Sequence, residues 1–279
     1  MSSKVFKVAV LDLNNGVENQ GIRCIKGILS DFSGTHHDYE IEFKLFDVRQ
    51  FEEIPDLQFD AYISSGGPGS PFDGVGSAWE EKFFNWMDEL WTYNLNNYPK
   101  KHALMICHSF QLMCRHFDLA EVVKRKSDSF GILPVHPTKS GKSDVIFSNL
   151  ADPFYAADFR EWQVLQPKTT NIKALGASIL AIEKNRPHVP LERAVMALRV
   201  SDEFIGTQFH PEADPEGMLY HFSKDQTREK ILDRHGEEKF DQLIDRLKDP
   251  SFLTATYDAF IPTFLRNAIN QKELHEIET

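Results

Sequence analysis

The chain has few cysteines and gives them no framework. Cys24, Cys107 and Cys114 are three in 279 residues. An odd count at these spacings fits neither a disulfide scaffold nor a zinc knuckle. A reducing, cytoplasmic setting is the expectation. Long apolar runs are also missing: none reaches the roughly 18 residues of a membrane span. Lys4 and Lys7 interrupt the first apolar stretch, MSSKVFKVAV, so no signal peptide is expected. Basic excess is absent as well. The net charge is -11, which argues against nucleic acid or anionic membrane as the main partner, because both need basic surface. There is no internal repeat, no low-complexity tract, and no His, Cys or carboxylate spacing that suggests a metal cluster.

What is present is an ordinary globular chain with 41% hydrophobic residues, enough for a substantial core. KVFKVAVLDL (4–13) reads as a buried strand, and VENQGIRCIKGILSDF after it has helical spacing. YEIEFKLFDV (39–48) alternates as a strand. FDAYISSGGPGSP (59–71) is a strand running into a Gly/Pro/Ser turn. WEEKFFNWMDELW (79–91) is an amphipathic helix, HALMI (102–106) a strand, and SFQLMCRHF a helix. This order predicts a parallel sheet with helices on both faces, and ligands bound beyond the carboxyl ends of the strands. From about 121 to 209 the segments become short and turn-punctuated: EVVKRK, FGILPVHPT, DVIFSNL, QVLQP, ASILAIEK, RAVMALRV and FIGTQFH. They predict β-ribbons and edge strands. The resulting division is a 1–214 domain followed by a 215–279 helical appendage. Leu253, Tyr257, Phe260 and Phe264 form the appendage's apolar stripe, with Pro262 placed to kink or divide it.

Cys107 lies where the HALMI strand gives way to a helix. Such a turn lifts a side chain above the sheet, and helix-end N–H groups and the dipole stabilise a thiolate there. The His108 N–H would face an oxyanion formed on a substrate. A free cysteine in an apolar run is equally consistent with core packing, and these residues alone leave both readings open. Cys114 and Cys24 read as packing residues. Among the histidines, His36, His37 and His235 lie in polar stretches and read as solvated. His210 ends the strand FIGTQFH, and Pro211 stops the ladder there. Glu212 can orient the imidazole and stabilise its protonated form, completing a nucleophile–base–orienter set. SSGGPGSP (64–71) lacks the Lys-Ser/Thr of a P-loop. It is similar to the SGGxDS loop of ATP pyrophosphatases, but Gly69 stands in place of the Asp. Its better reading is a tight turn whose Gly67 N–H approaches a substrate carbonyl.

Together the three pieces resemble the class I (triad) glutamine amidotransferases. Members of that family carry an SGGP loop, a G-[IV]-C-x-G-x-Q elbow and a late FHPE. Here these are SSGGPGSP at 64–71, MICHSFQ at 105–111 and QFHPE at 208–212. The stretch 129–150 is similar to the family's ribbon after the elbow. The chain is most similar to stand-alone proteins like the amidotransferase domain of GMP synthase. The resemblance implies a flavodoxin-like three-layer sandwich with a mostly parallel sheet, an added β-ribbon and a helical extension. It implies Cys107 as nucleophile, His210 as base, Glu212 as orienter, Gly67 and His108 as oxyanion donors, and Gln111 holding the substrate. The implied activity is hydrolysis of the glutamine γ-carboxamide through a thioester, without cofactor or metal, with ammonia passed to a separate synthase. Alternatives are hydrolysis of another γ-glutamyl amide, or a non-catalytic scaffold. Three departures stand out. Met105 and Ser109 replace the elbow glycines. Arg160 and Glu161 stand near a position often held by His. No synthetase domain is expected in the segment after 214.

Overall fold

The computed structural model describes residues 4–35, 38–186 and 191–278. The expectation for His36 and His37 lies outside them. Among the described residues nine strands form one sheet in the order β2-β1-β3-β4-β9-β8-β7-β5-β6. Strands β1 (Lys4–Asp12), β2 (Tyr39–Asp47), β3 (Ala61–Ser64), β4 (His102–Ile106) and β9 (Phe204–Thr207) pair in parallel. Beyond β9, strands β8 (Val195–Arg199), β7 (Ser178–Glu183), β5 (Glu121–Pro137) and β6 (Phe154–Leu165) pair antiparallel. The central strands β3, β4 and β9 are buried throughout, as expected where both faces are covered.

The layers follow from where the apolar residues point. On one face, α1 (Gln20–Thr35) and α9 (Leu253–Glu278) close a core holding Ile25, Leu29, Phe260 and Leu265 against Val8, Ile63 and Leu104. On the other, α2 (Ala78–Asn96), α3 (His108–His116) and α5 (Thr169–Leu175) pack Trp86, Phe110 and Ile172 against Tyr62, Met105 and Phe204. Burying one such side chain is worth about 1.5–3 kcal/mol. This is the three-layer arrangement anticipated, with the parallel strands at its centre.

Three local expectations change. The segment 121–137 is one long strand with a bulge between Lys124 and Ser129, and it pairs with β6 as a two-stranded ribbon. DVIFSNL is not a strand: α4 (Lys139–Lys142) leads into a 3-10 turn at Val145–Phe147, started by the Asp144 side chain accepting the Ile146 N–H. Arg199 grips the same carboxylate at 2.7 Å, a partner 55 residues away that local patterning cannot show. Pro262 does not divide its helix. The α9 helix runs unbroken from Leu253 to Glu278. Its stripe contributes Phe260 and Phe264 to the main core, and Leu253 to a third cluster. That cluster joins the β5–β6 ribbon to α6 (Pro215–Ser223), α7 (Asp225–His235) and α8 (Glu237–Lys248) through Ile132, Phe222, Ile231 and Leu243. The charged tail therefore folds back over the ribbon, which brings α6 and α7 beside the ends of β4 and β9.

Candidate active site

The carboxyl ends of β1, β3, β4 and β9 meet at one place, and the three sequence motifs meet there too. Cys107 is the single residue between β4 and α3. Its backbone sits at φ 51°, ψ -96°, a left-handed region that a residue with a Cβ rarely enters. Such strain costs of order 1–3 kcal/mol and persists only where surrounding structure imposes it. Here the Cys107 N–H donates to the Thr207 carbonyl at 2.7 Å, and the Cys107 carbonyl accepts from the Gln111 N–H.

Ser109 supplies the rest of the restraint. Its hydroxyl accepts the Ile106 N–H at 2.8 Å and lies 2.9 Å from the Ser64 carbonyl and 3.0 Å from the Ile106 carbonyl, to which it donates. The residue that replaces a family glycine thus ties the elbow to β3 and β4 from inside. Met105 enters the core with Phe110 and Met113. Its register partner on β9 is Gly206, where a Cβ would stand 2.4 Å from the Phe110 ring. The glycine on the neighbouring strand makes room for the helix.

The SGGP loop reaches the same point. A Cβ on Gly66 would stand 2.8 Å from His210 Cε1, and one on Gly67 only 2.3 Å from the Leu13 carbonyl oxygen. Both positions therefore need glycine for close backbone approach. Arg49 holds the loop by donating to the carbonyls of Leu13 and Pro68 at 3.2 and 2.7 Å. Among the described residues, the N–H groups of Gly67 and His108 find no protein acceptor, and both residues line the cavity beside Cys107.

His210 is set by β6: its N–H donates to the Ala157 carbonyl at 2.9 Å. Its Nδ1 lies 2.8 Å from Glu212 Oε1. Burial alone would lower the His210 pKa, but attraction to Glu212 and then to Cys107 outweighs it and raises the value well above the ordinary one. The side chain keeps 22% of its surface exposed, so water tempers this attraction. Glu212 is buried, and among the described residues its Oε2 has no partner. Gly21, in the first turn of α1, lies against this carboxylate, so the positive helix end faces it.

Cys107 lies between two cavities. One, of about 390 Å³, is bounded by the SGGP loop, His108, Gln111 and residues 128–130 and 159–162 of the ribbon. The other, of about 550 Å³, has His210 and Glu212 on one side and α6 and α7 on the other. Gln111 is buried and donates to Gln208 Oε1 at 3.1 Å, and Gln208 Nε2 lies 3.7 Å from Cys107 Sγ. Gln208 belongs to the QFHPE motif, yet nothing in that peptide alone places it beside the sulfur.

Arg160 borders the smaller cavity, but its charge is engaged elsewhere. It pairs with Asp158 at 2.8 Å and Glu183 at 3.5 Å, beside Arg125. Glu161 stands at the rim, 3.9 Å from Arg234. His235 is not a solvated histidine. It stacks on Phe130 with ring centroids 4.4 Å apart and borders both cavities. Its charged neighbours in sequence conceal a contact made across more than a hundred residues. Cys24 and Cys114 are buried, and burial pushes the Cys24 thiol up to about 12 and the Cys114 thiol higher still. His108 is also buried, which drives its imidazole down to about 3. Among the described residues no group of three or more His, Cys, Asp or Glu side chains could hold a metal.

Several solved structures share this fold. A glutamine amidotransferase from Thermotoga maritima superposes with a TM-score of 0.69 at 12% identity, over 95% of this chain and 98% of its own. One from Methylobacillus flagellatus gives 0.67 at 15%, over 97% and 96%. A putative GMP synthase subunit from Thermoplasma acidophilum gives 0.58 at 15%, over 97% and 98%. No curated protein matches significantly. At these identities the structures establish the fold. The class-I glutamine amidotransferase family model matches residues 32–227, most of the chain and all of the elbow and FHPE motifs, and on that match the chain belongs to the class I glutamine amidotransferase family.

Proposed function

We propose that this chain hydrolyses the γ-carboxamide of glutamine through a thioester on Cys107. The observation that carries the reading is the Cys107 backbone at φ 51° on the strand–helix elbow, opposite His210 and Glu212 in contact at 2.8 Å. Backbone strain concentrates where function requires it, and a scaffold gains nothing from holding a cysteine this way.

In this reading the Cys107 sulfur attacks the γ-carbon. The N–H groups of Gly67 and His108 receive the oxyanion, and donors aimed at developing charge supply much of such catalysis. His210 passes its proton to the amide nitrogen, the carbon–nitrogen bond breaks, and ammonia leaves. Water, deprotonated by His210, then adds to the thioester and releases glutamate. Glu212 holds the ring and stabilises the imidazolium. Gln111 positions Gln208 beside the sulfur, and the smaller cavity holds the glutamyl moiety.

Similarity to a putative GMP synthase subunit supports a glutaminase that delivers ammonia to a separate synthase. The three unpaired thiols suit a reducing cytoplasm, and among the described residues no helix is long and apolar enough to cross a membrane. We assign 1–214 to the catalytic domain and 215–279 to an appendage that walls its larger cavity, although the family match runs on to 227. The test is mass spectrometry of the wild-type protein quenched during turnover of glutamine. A γ-glutamyl adduct on Cys107 is expected, together with ammonia release by the wild type and none by Cys107→Ala. No adduct and no ammonia would overturn the reading.

A further inference from the structure

The larger cavity is not needed to release ammonia. A molecule of that size requires only about 10–15 Å³ of room for its centre, and this space is about 550 Å³. That lies within the roughly 300–1,000 Å³ of pockets that hold small organic ligands. Its position fixes what it can receive. In thioester formation the nitrogen leaves on the side of the group that protonates it, here His210, and the cavity opens from that side. Whatever is attached to that nitrogen must extend into it.

Asn14, Glu18, Asn19 and Lys224 give the cavity a polar part, and its apolar part states the chemistry of that substituent. Phe130, Phe159 and Phe222 form an aromatic cluster with centroids 5.0 to 6.1 Å apart. Met218 and Ile231 extend it from α6 and α7. Aromatic rings favour edge-to-face or offset partners at about 4.5–7 Å; with Phe222 buried and His235 already stacked on Phe130, a further ring would meet the half-buried Phe130 and Phe159. We infer that the site takes γ-glutamyl secondary amides whose nitrogen carries an apolar, preferably aromatic, substituent, and turns them over faster than glutamine. The inference rests on the reading of Cys107 as the nucleophile. The step balances as for glutamine: the sulfur–acyl bond forms, the carbon–nitrogen bond breaks, the His210 proton moves to the nitrogen, and a primary amine leaves. Water then releases glutamate.

The experiment compares glutamine, γ-glutamyl methylamide and γ-glutamyl benzylamide on the full-length protein, reading glutamate release. The kcat/KM is expected to rise along the series, with the benzylamide at least about tenfold above glutamine, since filling an apolar pocket by even one methylene changes discrimination by about 10- to 200-fold. Two substitutions fill the cavity from different helices, Met218→Trp on α6 and Thr227→Trp on α7. Each should lower the benzylamide-to-glutamine ratio about tenfold, and either suffices if the other fails to fold. A benzylamide no faster than glutamine, or a ratio that folded variants leave unchanged, overturns the inference. A glutamine-mimicking diazo-ketone separates the two levels. If it labels Cys107 and glutamine is hydrolysed while the benzylamide stays intact, only the secondary-amide inference falls. If Cys107 is unlabelled and no amide is cleaved, the nucleophile reading falls and takes this inference with it.

Discussion

Replacing Cys107 by glycine and by alanine should invert the usual order of their stabilities. Glycine within ordered backbone is normally less stable than alanine by roughly 0.5–1 kcal/mol, because the unfolded chain has more freedom to lose. At position 107 the backbone stands at φ 51°, and any Cβ there costs of order 1–3 kcal/mol. The alanine variant keeps that cost and the glycine variant sheds it. Both lose the buried sulfur, a loss of about 1 kcal/mol in each, which cancels in the comparison. The balance favours glycine by about 1 kcal/mol. For a chain of this size that corresponds to a difference of about 2–4 °C in Tm. Urea unfolding of the two variants, with m-values compared so that only midpoints report stability, measures it directly. Neither variant should turn over an amide, so activity cannot confuse the result. A midpoint for Cys107→Gly below that of Cys107→Ala would refute the strained-elbow argument, and with it the main structural support for Cys107 as a nucleophile.

Three further outcomes follow from neighbouring groups. Ser109→Ala leaves the buried Ile106 N–H without its acceptor and should lower stability by about 1–3 kcal/mol in the same urea assay. Gly66→Ala places a Cβ 2.8 Å from His210 Cε1, so the ring must move; kcat for glutamine should fall on the order of a hundredfold, while the urea midpoint changes little. The His210 pKa is raised in the folded protein, so its contribution to stability is complete below the unfolded value of about 6.5 and is lost as pH rises through the folded value. Glu212→Gln removes a principal cause of the elevation, so urea midpoints measured across neutral to alkaline pH should decline with pH less steeply than in the wild type.

How legible the molecule is in its sequence depends on how local each signal is. The parallel half of the sheet is readable because each of its strands and helices carries its own period, from Val8 and Val10 to Phe83 and Met87. His210 and Glu212 are readable as candidates because Pro211 between them announces a turn, and Cys107 because it stands where an apolar strand run gives way to helical spacing. Gln208 beside Cys107, and Phe130 and Arg234 lining the cavities around it, are not readable from their local sequence, since their places depend on β6 holding His210 and on α7 crossing the ribbon. His235 misleads for the same reason: DRHGEE looks solvated, yet the ring stacks on Phe130. DVIFSNL has the composition of a strand, but the Asp144 side chain caps the Ile146 N–H and is itself held by Arg199, so the segment turns instead. Arg160 stands out as a departure from the family pattern, but its partners Asp158 and Glu183 make it part of the scaffold under the cavity.

The two replaced elbow glycines no longer weigh against catalysis once their surroundings are considered. A glycine at the elbow provides two things: space for the helix that follows, and freedom for the backbone to turn. Space is provided on β9, where Gly206 lies beside Met105 and leaves room for Phe110 and Met113. Freedom is not recovered; it is replaced by constraint. The Ser109 hydroxyl bonds to both strands beneath Cys107, so the turn is held by three hydrogen-bonding contacts where a glycine would make none from its side chain. A relaxed elbow would show Cys107 at an ordinary φ and a solvated Ser109. Instead the serine is fully buried and the cysteine remains strained. Met105 and Ser109 therefore hold the elbow through contacts of their own.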